Sequence, residues 1–298
     1  MSDRKFRFGV VAAQTPDMAS WTGLVRAIED DGYSTVLVPD TFGTPEPFIA
    51  LSAAAAVTTQ LRLAPFVLAA PLRQAGTIAR DTASLDRLSG GRFELGLGAG
   101  RPDAQSEADL LGVPFGSAGE RIEQVAETIR SVRSMFAVAA EAAEANQGRP
   151  FSAQDYLRPA QQPGPPIMIA GQGRRMLGLA GQYADIVTLG VPATATEDEL
   201  GQRVATLREL AGDRFRELEL GINIFSVGDN VPQWLVGRFG VDPSKAAGNS
   251  AVSMLTGDTN EIVDVLQRRR DRLGISYVTV SVFAMDAFTP VVERLAGR

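Results

Sequence analysis

The 298-residue chain contains no histidine and no cysteine. That removes thiolate zinc sites, disulfides, cysteine nucleophiles, the Ser-His-Asp triad and the usual general base near neutral pH. Only Lys5 and Lys245 stand beside 27 arginines. Acid–base or ionic chemistry therefore falls to carboxylates, arginines, tyrosines or a bound cofactor. Five groups sit where short apolar runs end or just beyond: Asp40 in "VPDTFG", Arg73 in "PLRQAG", and Arg101, Asp103 and Glu107 in "GAGRPDAQSE". Either arginine could hold a substrate carboxylate or stabilise a developing anion, and Glu107 and Asp103 could donate a proton. Each of these charges reads equally as a solvated loop residue.

Two glycine clusters accompany them. In "GGRFELGLGAGRPD", Phe93, Leu95 and Leu97 share one strand parity, while Glu94, Gly96, Gly98 and Gly100 share the other. A strand that loses its side chains along one face makes room for a ligand or another backbone. "GLGAGR" is not a dinucleotide fingerprint, because Arg101 holds the third glycine position. In "IAGQGRRMLGLAGQYAD", Gly171 and Gly173 fall between an apolar run and a helical pattern. The N–H groups opening such a helix favour a phosphate, and Arg174 and Arg175 could add charge-assisted bonds. A plain strand-to-helix turn with two solvated arginines is the competing reading.

The elements that must carry these groups follow from periodicity. Strands are expected in "KFRFGVVAA", "TVLVPD", "LRLAPFVLA", Phe93–Leu97, "PIMIAG", "DIVTLG", "LELGINIFSV" and "SYVTVSVF". Helical or irregular sequence follows each of them, beginning with a helix from Ser20 to Asp31 in which Ser20 is the expected N-cap and Gly32 the stop. Ala139–Pro166 reads as a looser rim excursion, and Pro232–Met254 as irregular with short helices. Eight such strands in 298 residues predict an α/β fold, a (β/α)8 barrel with rim insertions forming a single domain over 1–298. A doubly wound open sheet is the alternative. In a barrel the two glycine clusters and the five charged groups lie at the strands' C-terminal ends, where barrel active sites are built. Trp21, after the first strand, either lines the substrate mouth or staples its own helix.

With a net charge of −6 the chain is not expected to bind nucleic acid. No apolar run reaches membrane-spanning length and the N-terminus lacks a signal-peptide core, so a cytoplasmic protein without a membrane partner is expected. No metal site is expected.

Three segments, "LDRLSGGRFELGLGAG", "PIMIAGQGRRMLGLAGQYADIVTLG" and "RDRLGISYVTVSVF", resemble the luciferase-like flavin and deazaflavin oxidoreductases, the bacterial luciferase superfamily. The likeness runs from about Phe6 to Ala296 and is greatest to the actinobacterial branch that uses coenzyme F420. The resemblance implies a (β/α)8 barrel with a flavin or deazaflavin ring across its mouth. It implies that Phe66, Val67 and Ala69 back the ring on a bulged segment where a non-prolyl cis peptide is common. Gly98, Ala99 and Gly100 would border the ring, and Ala170, Gly171, Gln172, Gly173 and Arg174 would take the phosphate. Thr41 and Arg101 occupy positions where deazaflavin sugar dehydrogenases carry a histidine and a glutamate, which argues against alcohol oxidation by that mechanism. Catalytic roles are expected from Asp40, Thr41, Arg101 and Glu107. The expected activity is an F420H2-dependent reductase that passes hydride to an activated C=C or C=N of a small molecule. The alternatives are an FMNH2-dependent monooxygenase served by a partner flavin reductase, and a cofactor-binding homologue without catalysis. A homodimer is expected, with "PFIALSAAAAVTT" either in its interface or packed on its own barrel.

Overall fold

The computed structural model describes residues 4–13, 17–145, 153–228, 233–239 and 251–298. Its strands are β1 (Arg7–Val11), β2 (Thr35–Val38), β3 (Arg62–Pro65), β4 (Leu68–Ala69), β5 (Leu95–Gly98), β6 (Ile167–Gly171), β7 (Ile186–Leu189), β8 (Glu219–Ile224), β9 (Ser226–Val227), β10 (Met254–Leu255) and β11 (Ile275–Ser281). Its α-helices are α1 (Met18–Asp30), α2 (Pro47–Val57), α3 (Ala75–Leu88), α4 (Gln105–Leu111), α5 (Ala118–Ala145), α6 (Arg174–Tyr183), α7 (Glu197–Ala211), α8 (Gln233–Phe239), α9 (Thr259–Leu273) and α10 (Met285–Leu295).

Nine strands form one sheet in the order β3-β2-β1-β11-β8-β7-β6-β5-β4. Its pairs run parallel, as in β1 against β2 and β5 against β6. The order begins and ends on successive pieces of the third expected strand, and Leu63 of β3 is bridged to Phe93, two residues before β5. This is the (β/α)8 class that the strand count predicts, with the third strand broken after Pro65. The break is a finding: "LRLAPFVLA" reads as one strand, but the chain turns at Phe66 and Val67, whose peptide bond is cis.

The chain folds as two compact units interleaved in sequence. The first contains Met1–Ala12, Arg26–Leu37 and Ala170–Arg298, hence β1, β7, β8, β11 and α6, α7, α9 and α10. Its core stacks Phe6 on Phe8, whose ring meets the edge of Phe288 at 5.6 Å. The second contains Ala13–Val25 and Val38–Ile169, hence β3–β5 and α2–α5. There Trp21 is buried and donates its indole N–H to the Ala50 carbonyl at 2.8 Å, so it staples α1 to α2. Phe48 stacks on Phe93 at 5.8 Å beneath the glycine-rich strand.

Three expectations about boundaries need correction. Helix α1 starts two residues before Ser20, and the Asp17 carboxylate accepts the Ser20 N–H at 2.8 Å. Asp17 therefore caps the first turn, and accepting that bond holds its carboxyl below its usual value. The supposed loose segment from Ala139 is helical to Ala145, because "AVAAEAAEA" is strong helix-forming sequence and Phe136 and Ala139 are buried. Within Pro232–Met254, α8 is followed, beyond residues outside the described set, by β10, which pairs with β9 in a second, two-stranded sheet. Among the described residues no helix is long and apolar enough to cross a membrane.

Candidate active site

In the second unit, β2 delivers Asp40 two residues past its end, and the strand-end charges there are paired with one another. Asp40 accepts the Ala69 N–H at 3.0 Å and both forks of Arg73, at 2.9 and 2.6 Å. The remaining Arg73 amino group donates to Glu46 at 3.0 Å. The other Glu46 oxygen accepts the Ile49 N–H at 2.8 Å, capping α2 one residue ahead of Pro47. Burial alone would depress the Arg73 guanidinium, but the bonds and charges of Asp40 and Glu46 outweigh it and hold it above its usual value. Thr41 is half-buried beside Asp40, and its carbonyl accepts the Thr44 N–H in a tight turn.

The broken third strand and β5 lie together. Phe66 and Val67 are partly exposed, Ala69 is buried, and Leu68–Ala69 pairs with Leu97–Gly98. Gly96 answers part of what the glycines are for. A Cβ there would stand 2.1 Å from the Pro65 carbonyl oxygen, so the missing side chain admits a neighbouring backbone. Gly100 has a φ of +73°, and the edge of Phe115 lies 3.1 Å from where its Cβ would be. Arg121 of α5 holds the Ala99 carbonyl at 3.0 Å and stacks over Phe115 at 4.2 Å. Sequence reading missed both Arg121 and Phe115, which carry no signal beyond a place on or near an amphipathic helix. Just after this strand Arg101 donates to Glu107 at 2.7 Å and to Asp103 at 3.2 Å. The expected substrate clamp and the expected proton donors are thus partners of each other.

In the first unit, Ala170 and Gly171 end β6, and Gln172 and Gly173 lead into α6. A Cβ at Gly171 would stand 2.2 Å from Met176 Cγ, so this residue lets the helix turn back against the strand. Gly173 is the N-cap, has no side-chain cap bond, and a Cβ there would meet nothing within 4 Å. The start of α6 thus has no N-cap side chain to take its first N–H groups, which fits an anion. Arg174 pairs with Glu209 at 2.7 Å, raising its own pKa and lowering that of Glu209. Arg203 of α7 donates to the Gln172 carbonyl at 3.2 Å, an arginine at this turn that sequence spacing does not reveal. Deeper in the unit, Arg7 makes a two-pronged pair with Glu219 at 2.8 and 2.7 Å and lies 3.7 Å from the Tyr277 ring centre. Toward the C-terminal ends of the same strands, the Thr279 hydroxyl donates to Asn223 at 3.0 Å. The side chains of Trp234 and Phe239 lie outside the described residues.

These features sit on a chain whose residues 5–233 match the sequence model of luciferase-like monooxygenases. The chain belongs to the luciferase-like monooxygenase family. An uncharacterised Mycobacterium tuberculosis protein is 32% identical over 142 residues, covering 40% of this chain and 48% of its own. The chain spans about half the length of the curated relatives it matches. The fold extends over both partners in two solved structures. The coenzyme F420-dependent tetrahydromethanopterin reductase of Methanopyrus kandleri superposes with a TM-score of 0.73 at 17% identity, over 98% of this chain and 99% of that one. A long-chain alkane monooxygenase superposes with a TM-score of 0.74 at 16% identity, over 98% and 91%. This luciferase-like protein therefore shares its fold with an F420-dependent reductase and with a monooxygenase.

Proposed function

We propose that this luciferase-like protein is an oxidoreductase that uses reduced coenzyme F420 to deliver hydride to an activated C=C or C=N of a small molecule. The observation that carries the reading is the state of the strand-end charges. Asp40, Arg73 and Glu46 satisfy one another, as do Arg101, Glu107 and Asp103, in a chain without histidine or cysteine. Such a site orients; the reactive electrons must come from a cofactor. When bound, a reduced deazaflavin supplies hydride without the oxygen chemistry of a flavin.

Family membership supports the cofactor class, and the residues fit it. Phe66, Val67, Ala99 and Gly100 are partly exposed and Ala69 and Gly98 buried, and these six would back and border the ring. Ala170, Gly171, Gln172, Gly173 and Arg174 would take the phosphate at a helix start with no side-chain cap. Arg101 and Glu107 would face the acceptor: as hydride reaches one atom of the C=C or C=N, Arg101 would steady the negative charge on the other and Glu107 would pass a solvent proton to that atom. Thr41 can donate only a neutral hydrogen bond.

Fluorescence titration with oxidised F420 and with FMN tests the reading. Micromolar binding of F420 in preference to FMN is the expected result. Gly173→Asp, which puts a carboxylate at the uncapped helix start, should weaken binding at least tenfold. Preference for FMN, with oxygen consumed during turnover, would move the protein to the second reading, a flavin monooxygenase fed by a reductase. The family description favours that alternative. Binding of neither cofactor would overturn both.

A further inference from the structure

The bonds made by Asp40 have an order that a catalytic carboxylate does not need. Strand β2 ends at Val38, whose carbonyl accepts the Phe66 N–H at 2.7 Å. Beyond it the chain turns through Phe66 and Val67 and resumes as β4, which is only Leu68 and Ala69. A two-residue strand has little ladder to hold it. The Asp40 side chain accepts the Ala69 N–H at 3.0 Å, so the chain leaving β2 reaches β4 through a carboxylate. Arg73, four residues further on, then grips the same carboxylate through two parallel bonds of 2.9 and 2.6 Å. That planar fork fixes the carboxylate's orientation as well as its position. Its third bond, to Glu46 at 3.0 Å, ties the assembly to the start of α2. The pair is mostly buried, with side-chain exposure of 13% for Asp40 and 23% for Arg73, so solvent screens it weakly.

We propose that Asp40 and Arg73 are positioning residues: together they extend the β2 ladder across the break and fix the Phe66–Ala69 backbone on which the cofactor ring rests. Both side chains are committed to this assembly, Asp40 accepting three bonds and Arg73 donating three. The inference rests on the ring-binding reading above and assigns the geometry of that surface to two side chains that need not touch the ring.

The test uses full-length protein carrying Asp40→Ala, Asp40→Asn, Arg73→Lys, or Asp40→Ala with Arg73→Ala. Two readouts are taken: amide hydrogen exchange at Ala69 without cofactor, and the affinity and visible spectrum of bound F420 or FMN. Asp40→Ala should speed exchange at Ala69 at least tenfold while β8 and β11 keep wild-type protection. It should weaken cofactor binding about tenfold and move the bound spectrum toward that of the free cofactor. Asp40→Asn keeps an acceptor for the Ala69 N–H and should recover part of both effects. The double variant should be no worse than Asp40→Ala, because the two residues act as one unit. Arg73→Lys keeps the charge without the fork, and should show the same changes in weaker form even if Asp40→Ala does not fold. Unchanged exchange at Ala69 would overturn the clamp. Faster exchange with wild-type affinity and spectrum would overturn its link to the ring. If wild-type protein binds neither cofactor, the functional reading fails, and the exchange data alone still decide whether the clamp exists.

Discussion

Glycines of one composition class do opposite things in this chain, and only their surroundings say which. At Gly96 the forbidden volume is backbone, the Pro65 carbonyl oxygen at 2.1 Å and its carbon at 3.2 Å, which cannot swing aside as a side chain does. Gly96→Ala should cost about 3 kcal/mol through overpacking, seen as a lowered urea midpoint with an unchanged m-value. Gly23, exposed within α1, has nothing within 4 Å of a Cβ. Gly23→Ala should stabilise by about 0.5–1 kcal/mol, because alanine loses less backbone entropy in a helix. Tyr33 shows burial acting on chemistry at this scale. It is buried with its hydroxyl on the Met285 carbonyl at 3.0 Å, and desolvation pushes its pKa up to about 12. Absorbance titration at alkaline pH should therefore show a tyrosine ionising about two units late, a step absent from Tyr33→Phe. The glycine spacing was legible from the residues; that Gly96 faces Pro65 was not, because the contact joins positions 31 residues apart on different strands.

Elements were legible where their signals are local. Helices α7 and α9 open on capping boxes, Thr196 with Glu199 and Asp258 with Glu261, whose side chains take N–H groups that the helix leaves over. Thr196→Ala should destabilise by about 1 kcal/mol in chemical denaturation. Boundaries failed where a local signal met a tertiary one. Ser20 is a good cap by type, but Asp17 reaches the same turn first with a charged acceptor. "LRLAPFVLA" is apolar but for Arg62, and apolarity does not record the break at Phe66 that puts β3 beside β2 and β4 beside β5. Ala139–Pro166 reads as loose because it is rich in Ala, Gln, Gly and Pro, yet alanine is the best helix former and Ala139 packs inward.

For the molecule as a whole, shifted groups bracket stability on both sides of neutrality. The carboxyls of Asp17, Glu120, Glu199 and Asp258 are held below their ordinary values of 3.8 and 4.5, each first by accepting a backbone N–H. Depressed folded pKa values mean that this stability is present above the ordinary values and is lost as pH falls through the lowered ones. Tyr33 is raised, so its contribution is complete below its ordinary 10.0 and is lost as pH rises toward about 12. The urea midpoint should thus be level from about pH 5 to 9 and fall on either side, with Tyr33→Phe flattening the alkaline limb. By itself the sequence determined the alternation of strands and helices, the (β/α)8 class, the resemblance to luciferase-like proteins, and a chemistry without histidine or cysteine. Those properties are written in composition and in short-range periodicity, which a single chain displays in full. Only the tertiary structure decided that Asp40 meets Arg73, that Arg101 meets Glu107, and that Arg174 turns to Glu209. With 29 basic and 35 acidic residues available, charge type alone leaves the pairing open. Which carboxylate meets which arginine is set by strand register and by how far each loop carries its side chain, and both are fixed only when the sheet is hydrogen-bonded and the helices are packed.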